Sequence, residues 1–404
     1  LLPGQPGIVA SSVCRRPLEK MQRAVRTCVM RGGSSKGIYM RSGDLPPPGP
    51  LRDAVLLRLF GSPDPRQIDG LGGADVLTSK LAIVGPPTVA GADVDYTFGQ
   101  VSFAAPHVDY KGNCGNISAG VGPFAIDEGL LPPAAPGVAS RTVSIHNTNT
   151  GALLRATVPI GASGEAEVEG EAAIAGVPGA GAKIDLDFSA TQGSVTGMIL
   201  PSGQRREMLT VEGAGGGVEE MEATLLDAGQ ATVFVRAADL GLSGAPSEVA
   251  EALLRDEALL RRVERVRGAA AVRMGIVGRW QDAETESPYT PFVVAVAAPA
   301  EGQPWDLGAT CVFMQQVHKA YPVTGSVATV AAALLPGTLV HDCTRPPAAG
   351  AALRIGHPSG VMGVHGEVGD GPEPALRRAS IVRTARRLMD GKAYIPWSLW
   401  PAGE

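Results

Sequence analysis

A glycine-rich sequence around a single thiol, Gly-Asn-Cys-Gly-Asn at residues 112–116, runs directly into a stretch of small residues. The small residues predict a buried helix over residues 118–127, which would place Cys114 where a helix begins. Free backbone N–H groups and the positive end of the helix dipole stabilise a thiolate or a bound carboxylate at such a place. Cys114 is therefore a candidate nucleophile, acid/base or anion-binding residue. The alternative is a small residue that only packs at a glycine-rich helix start.

The composition excludes several classes of protein. The 404 residues, 44% of them apolar, are enough for two or more domains with ordinary cores. The net charge of -5 comes from 35 basic and 40 acidic residues with no basic block, which argues against nucleic acid or a membrane surface as a partner. No apolar run is long enough for a transmembrane helix.

Cysteine usage favours a reduced, cytoplasmic chain. The cysteines are odd in number, scattered and without CxxC spacing, which argues against both a disulfide framework and structural zinc. They are Cys14, Cys28, Cys114, Cys311 and Cys343. Residues 1–20 lack the apolar region of a secretory signal, and we expect them to form a disordered extension before Met21.

Short runs rich in valine, isoleucine and phenylalanine alternate with Gly/Pro turns, which predicts many strands around few helices. Strands are predicted at residues 81–84, 96–103, 141–145, 153–159, 183–188, 232–235 and 292–297. Helices are predicted from residue 51 to near Gly61, over 247–267 with Ser247 as its cap, and over 326–335. The Gly/Pro-rich stretch 161–181 is interpreted as a surface loop and not as a domain boundary.

A short internal sequence similarity suggests two related halves. Gly112-Asn113-Cys114 precedes a small-residue helix in the first half, and Thr324-Gly325-Ser326 precedes another in the second. Two lobes built this way would each aim a helix N-terminus at one cleft. The similar segments are short, and the alternative to an internal repeat is a chance similarity.

A glycine-rich turn at residues 31–37, Arg-Gly-Gly-Ser-Ser-Lys-Gly, offers backbone amides, hydroxyls and a cation. It lacks the GxxxxGK[ST] spacing of a phosphate loop, and no matching acidic magnesium ligand follows it. Nucleotide binding is therefore not predicted. The turn is suited instead to holding a carboxylate.

Lys80 follows Thr78 and Ser79 and precedes the apolar run 81–84, which places it at the mouth of a predicted strand. A lysine in such a position is usually solvated. If it is buried in a cleft, it can accept and return a proton near neutral pH.

Two histidine-containing segments have ordinary structural interpretations. His357-Pro358-Ser359-Gly360 predicts a tight turn whose hydroxyl and amides can face a ligand. The segment 341–343, His-Asp-Cys, has no second cluster at ligand spacing, so no metal site is predicted.

Several motifs in order along the chain resemble one known family, the PrpF family of 2-methylaconitate cis-trans isomerases, methylitaconate isomerases and oxalomesaconate tautomerases. The resemblance begins near Met30 and extends over nearly all of the remaining chain. The motifs are MRGGSSKG at 30–37, GSPDPRQIDGLGGA at 61–74, TSK at 78–80, NCGN at 113–116, VGPFAI at 121–126, NTNTG at 147–151, HPSG at 357–360 and RTARRLM at 383–389.

The resemblance implies an α+β fold like that of diaminopimelate epimerase, with two pseudo-symmetric β-rich lobes that each wrap a central helix. The lobes would comprise residues 21–189 and 190–377, with 378–404 packing back on the first. A ligand would lie between two facing helix N-termini. A small-molecule di- or tricarboxylate is the implied partner, a homo-oligomer is a further expectation, and no cofactor or metal is implied.

The resemblance also implies site residues. Lys80 would be the main acid/base, and Cys114 would lie at the substrate as an auxiliary group. The residues expected to line the carboxylate pockets are Ser34, Lys36, Ser79, Asn113, Gly115, Asn116, Thr324, Gly325, Ser326, Ser359 and Gly360.

The implied activity is a cofactor-independent isomerisation that moves or reorients a C=C bond in an unsaturated di- or tricarboxylate by allylic proton transfer. The substrate stays open because Leu77 is nearer to the tautomerase branch, whereas the segments 147–151 and 200–203 are nearer to the methylitaconate branch. Two alternatives remain. A non-catalytic carboxylate-binding protein is one; a racemase is the other, if Cys311 faces Cys114, although residues 324–326 supply no second cysteine.

Overall fold

The computed structural model describes residues 21–401, apart from residues 214, 215, 349, 370 and 372. The predicted extension at residues 1–20 and the final residues 402–404 lie outside the described part. The strands are β1 (Gln22–Gly32), β2 (Ser35–Arg41), β3 (Lys80–Gly85), β4 (Val94–Val101), β5 (Val108–Asp109), β6 (Ser140–Asn147), β7 (Leu153–Pro159), β8 (Ile184–Asp187), β9 (Glu207–Glu212), β10 (Val218–Ala228), β11 (Gln230–Arg236), β12 (Phe292–Ala297), β13 (Leu307–Phe313), β14 (Gln316–Val317), β15 (Leu353–His357), β16 (Gly360–Gly369), β17 (Ala375–Arg383) and β18 (Ala385–Pro396). The helices are α1 (Pro50–Phe60), α2 (Gly115–Asp127), α3 (Pro246–Arg255), α4 (Glu257–Arg273), α5 (Ala283–Glu286), α6 (Val323–Leu334) and α7 (Leu339–Asp342).

In the first lobe, strands wrap the small-residue helix α2. They pair in the order β18–β1–β2–β3–β4–β6–β7–β8–β17, with β5 beside β4. The helix is buried from Gly115 to Ala125, as its composition predicts. A Cβ on Gly120 would lie 2.4 Å from Oη of Tyr39, so β2 can approach α2 this closely only beside a glycine.

A second lobe repeats this arrangement around α6. Its strands pair in the order β9–β10–β11–β12–β13–β15–β16, with β14 beside β13. The helix is buried from Val323 to Ala333. It begins before the predicted residue 326, so the segment 324–326 forms its first turn and does not precede it. The helix ends at Leu334, ahead of Pro336, which cannot continue it.

Strand β16 connects the lobes, because it pairs with β15 through residues 360–364 and with β17 through residues 365–369. Strand β17 continues the pairing to β8, and β18 runs along β1. The chain therefore returns to the first lobe at its C-terminal end. Two β-rich lobes with one enclosed helix each match the α+β class that was expected. A division near residues 189 and 377 remains a prediction.

The prediction of one helix over residues 247–267 is wrong. The chain forms α3 and α4 instead, separated at Asp256, whose backbone is extended at φ -122° and ψ 96°. The Asp256 side chain accepts a hydrogen bond of 3.0 Å from the amide of Leu259, which caps α4. Ser247 is not a cap either, because α3 begins at Pro246 and its N-cap is Ala245. An aspartate that can satisfy a free helix amide competes with helix continuation.

Other local predictions are confirmed. Helix α1 ends where expected, with Gly61 in the left-handed region at φ 75°. Strands β7 and β12 coincide with the predicted ranges 153–159 and 292–297. No helix in the described part of the chain is long and apolar enough to cross a membrane.

Candidate active site

The N-termini of the two central helices meet. A Cβ on Gly115 would lie 2.5 Å from Cγ1 of Val323, so the first residues of α2 and α6 are in direct contact. Cys114 is the N-cap of α2, at φ -117° and ψ 101°, and is 6% exposed. Because the first amides of a helix have no partner within it, both helix starts direct N–H groups and positive dipole ends to this junction.

Lys80 opens strand β3 and is buried, with 2% of its surface exposed. Its Nζ donates to Oε1 of Gln100 at 3.0 Å, and Nε2 of Gln100 donates to the backbone oxygen of Ser79 at 3.0 Å. The ring centroids of Phe98 and Tyr289 lie 5.3 and 6.0 Å from Nζ. Among the described residues no carboxylate pairs with this amine. The hydrogen-bonding positions that Gln100 does not use are therefore available to a ligand.

Tyr289 connects the lysine to the start of α2. Its hydroxyl donates to the backbone oxygen of Asn113 at 3.0 Å, and a Cβ on Gly112 would lie 2.3 Å from its ring. Burial, with a smaller contribution from the Cys114 thiol, raises the pKa of Tyr289 well above its usual value, so the phenol keeps its proton. This second-lobe side chain therefore fixes the segment that carries Cys114.

The glycine turn packs on the same helix start. Gly33 has φ 51°, its amide donates to Thr384 at 2.9 Å, and a Cβ there would lie 2.1 Å from Oδ1 of Asn116. The amide of Ser34 donates to that same Asn116 oxygen at 3.3 Å. Only glycine fits at residue 33, because both the backbone angle and the space exclude a side chain. Lys36 is half-buried in the same turn.

The turn between β15 and β16 and the glycine turn both lie close to Gly176, which belongs to the stretch 161–181. A Cβ on Gly176 would lie 3.7 Å from Cβ of Ser34 and 3.9 Å from Cβ of Ser359. Ser359 is exposed, and its hydroxyl donates to the backbone oxygen of Lys319. The lysine side chain pairs with Asp75 of the first lobe at 2.5 Å. Gly360 follows in the same turn.

Besides that of Ser359, two of the predicted pocket hydroxyls are already engaged. Ser79 is fully buried, and its hydroxyl exchanges hydrogen bonds of 2.8 and 3.0 Å with the side-chain amide of Gln67. The Ser326 hydroxyl donates to the backbone oxygen of Val323 at 2.7 Å. The Thr324 hydroxyl, by contrast, is buried without a partner among the described residues, and Gly325 lies between these two in the first turn of α6.

His318 was not predicted from the sequence. It is 2% exposed, and its Nδ1 accepts the amide of Ala320 at 3.1 Å. Burial lowers its pKa to about 3, and Lys80 acts in the same direction. His318 is therefore a neutral, buried group.

The cysteines of the described chain are free and buried. Cys14 lies outside the described residues. Burial raises the pKa of Cys311 well above its usual value, which disfavours a thiolate in β13. Within the described residues, no group of three or more His, Cys, Asp or Glu side chains is placed to hold a metal ion.

The model of the PrpF family, described as PrpF protein, matches residues 22–396. The chain belongs to the PrpF family. It is 42% identical to the 3-methylitaconate isomerase of Eubacterium barkeri, over 93% of this chain and 98% of that protein. It is 38% identical to the 2-methyl-aconitate isomerase of Shewanella oneidensis (93% and 98% covered) and to the 4-oxalomesaconate tautomerase of Pseudomonas putida (95% and 99% covered).

Solved structures agree with this PrpF assignment. The crystal structure of methylitaconate-delta-isomerase superposes with a TM-score of 0.74 at 41% identity, covering 95% of this chain and 98% of that one. A probable proline racemase from Agrobacterium radiobacter superposes with a TM-score of 0.52 at 13% identity, covering 91% and 92%. The second likeness concerns the fold alone, and it confirms the epimerase-like architecture.

Proposed function

We propose that this PrpF-family chain is an isomerase that moves or reorients the C=C bond of an unsaturated di- or tricarboxylate by allylic proton transfer. The observation that carries the proposal is a buried amine, Lys80, fixed by Gln100 beside the junction of two helix N-termini. The family supports the reaction class, since relatives at 38–42% identity are named as isomerases or a tautomerase of such acids.

The reaction needs an electrostatic environment of the kind found at this junction. An allylic C–H beside a carboxylate is a poor acid, so the dienolate-like intermediate must be stabilised by donors that are already in place. The free amides at the starts of α2 and α6 are such donors.

Lys80 is the proposed base. In its uncharged form the amine keeps a hydrogen bond to Gln100 and directs its lone pair elsewhere, so it can remove the allylic proton. The same group then returns that proton to the other end of the allyl system, or after rotation about the intervening bond. Alternatively Cys114 donates its own thiol proton there, and after product release the thiolate takes up a proton from solvent while the Lys80 ammonium gives one up. Each step moves one proton, and the electrons stay within the substrate.

Cys114 is the proposed auxiliary acid. Its thiol lies at the N-cap of α2, where the helix start stabilises the thiolate that forms when the proton is given up. Because Tyr289 fixes the preceding carbonyl at Asn113, the thiol is positioned from both lobes. A second functional cysteine is not proposed, because the start of α6 carries Thr324-Gly325-Ser326. This favours an isomerase over a racemase.

The substrate is proposed by class. 2-Methylaconitate or aconitate is the first candidate, with 3-methylitaconate and 4-oxalomesaconate as alternatives within the family. Proton NMR in D2O, with wild-type protein and each acid in turn, distinguishes them. Deuterium at an allylic position together with a shifted or reoriented double bond identifies the substrate. Binding without any deuterium entry would favour the non-catalytic carboxylate-binding alternative.

Two further expectations remain proposals. We propose a reduced, cytoplasmic setting, which the free cysteines of the described chain support. We also propose a homo-oligomer, for which a molecular-mass measurement in solution is the test.

A further inference from the structure

Arg383, the last residue of β17, is buried without an acidic partner. It is 5% exposed, and none of the described carboxylates lies within ion-pair distance. Its Nη1 donates to its neighbour's backbone oxygen at 2.8 Å, Nη2 contacts the thioether sulfur of Met362 at 3.0 Å, and Nε has no partner among the described residues. A buried charge is strongly unfavourable unless an anion compensates it.

His357 lies on the same face of the β15–β16 hairpin as Met362, which Arg383 contacts, and it has a second unpaired donor. The ring is 4% exposed, and its Nδ1 accepts the amide of Ser359 at 3.3 Å. The ring hydrogen therefore lies on Nε2, which is buried and has no partner in the described part of the chain. Burial lowers the pKa of His357 to about 4, and the positive charge of Arg383 acts in the same direction. The imidazole is thus neutral at pH 7 and offers one N–H.

The pair lies between the two turns proposed to hold carboxylates. Thr384, which follows Arg383, accepts the amide of Gly33 at 2.9 Å through its backbone oxygen. His357 begins the turn that carries Ser359, and a Cβ on Gly176 would lie 3.9 Å from Cβ of Ser359 and 3.7 Å from Cβ of Ser34. The unpaired donors therefore adjoin the candidate active site and are not isolated in the core.

We propose that Arg383 and His357 together bind one carboxylate of the substrate, the one remote from the carbon that Lys80 deprotonates. This inference rests on the proposed function. One carboxylate oxygen would accept from Nε of Arg383 and the other from Nη2, displacing the weak contact with Met362, while Nε2 of His357 donates to either oxygen. The site therefore takes an acid with at least two carboxylates, and a monocarboxylate does not fill it.

The test compares ligand binding in three variants. Arg383→Met removes the charge at similar volume, and Arg383→Lys keeps the charge without the planar fork. Arg378→Gln, on the same strand but exposed, is the matched control. Isothermal titration measures the affinity for cis-aconitate, 2-methylaconitate, 3-methylitaconate and 4-oxalomesaconate, and for crotonate as a monocarboxylate. Thermal unfolding is followed with and without ligand.

The affinity of Arg383→Met for the bound di- or tricarboxylate should fall roughly 10- to 100-fold, as expected for the loss of a charge-assisted hydrogen-bond pair. Arg383→Lys should give an intermediate value, and Arg378→Gln should stay near wild type. The affinity for crotonate should be the same in all four proteins. Without ligand, Arg383→Met should unfold at the wild-type temperature or above it, because an uncompensated buried charge has been removed.

Three results would overturn this inference. The first is an unchanged ligand affinity in Arg383→Met. The second is a lower unfolding temperature of ligand-free Arg383→Met while the ligand raises that temperature as much as in wild type, and the third is a failure of Arg383→Met to fold. Binding and turnover separate the two proposals. Arg383-dependent binding without deuterium entry refutes the isomerase alone, and turnover with an unchanged KM in Arg383→Met refutes the carboxylate site alone. If none of the four acids binds the wild type, both fail.

Discussion

Nζ of Lys80 donates a hydrogen bond of 3.0 Å to Oε1 of Gln100, which lies directly opposite it on the antiparallel strand β4. The other end of the Gln100 amide is held by the backbone oxygen of Ser79. An amide fixed at both ends gives the lysine one acceptor without a negative charge. The amine is therefore oriented, and its ammonium form has no carboxylate partner among the described residues.

Replacing Gln100 should impair turnover more than binding. In Gln100→Leu the amine loses its fixed acceptor, and kcat should fall about 10- to 100-fold with little change in KM, because a misplaced base is inefficient. Gln100→Glu would place a carboxylate against the amine and hold it in an ion pair, so kcat should also fall. Steady-state kinetics of both variants measure these changes. A parallel rise of KM in Gln100→Leu would instead indicate a role in substrate binding.

Cys114→Ala should separate proton removal from proton return. If Lys80 removes the proton and Cys114 returns it, kcat for isomerisation should fall by about 10²- to 10⁴-fold. The variant should still exchange the allylic hydrogen of the unreacted substrate with D2O. Proton NMR of the recovered substrate measures that exchange. Wild-type kcat in Cys114→Ala would assign the thiol a packing role only.

The sequence predicts the local elements of this site better than the tertiary contacts between them. The thiol, the small-residue helix and the glycine turn are local patterns, since each needs only its own residues to form. Gln100 and Tyr289 could not be predicted, because the first depends on strand register and the second comes from the other lobe. Family resemblance pointed to Lys80, whereas its burial and its amide partner required the fold.

The same distinction explains the errors and omissions. Asp256 breaks a helix that periodicity predicts as continuous, because its side chain caps the next helix. The Ser79 hydroxyl bonds to Gln67, twelve residues earlier in the chain, a contact that the sequence did not predict, and its place in a carboxylate pocket stays a prediction. That Arg383 has no acidic partner among the described residues is likewise a three-dimensional property that no motif contains.

The contact between the two helix starts should be sensitive to one methyl group. In Gly115→Ala the new Cβ would meet Val323 at 2.5 Å, so α2 and α6 must separate. We expect a loss of about 1–3 kcal/mol in the free energy of unfolding and a larger loss of activity. Gly43→Ala, which has nothing within 4 Å of the added Cβ, is the control. Urea unfolding with parallel activity assays checks this, and equal stability of both variants would contradict it.

Acid should destabilise the protein through two buried histidines. Burial lowers the pKa of His357 to about 4 and that of His318 to about 3, against 6.5 for a free imidazole. The unfolded chain therefore binds more protons between these values, and the free energy of unfolding should fall as the pH drops from about 6.5 to 4. His357→Gln should reduce that slope, because one linked proton is removed. Urea unfolding at half-unit pH steps measures it, and an unchanged slope would contradict the assignment.

Deuterium entry in the Lys80→Ala variant tests the central claim most directly. The matched control is Lys392→Ala, which removes an exposed lysine of strand β18. Each protein is incubated in D2O with the acid that the wild type isomerises, and allylic deuterium is followed by proton NMR. We predict that Lys392→Ala exchanges and isomerises like wild type, whereas Lys80→Ala still binds the acid but loses both reactions. Exchange at the wild-type rate in folded Lys80→Ala would show that another group is the base and would contradict the account.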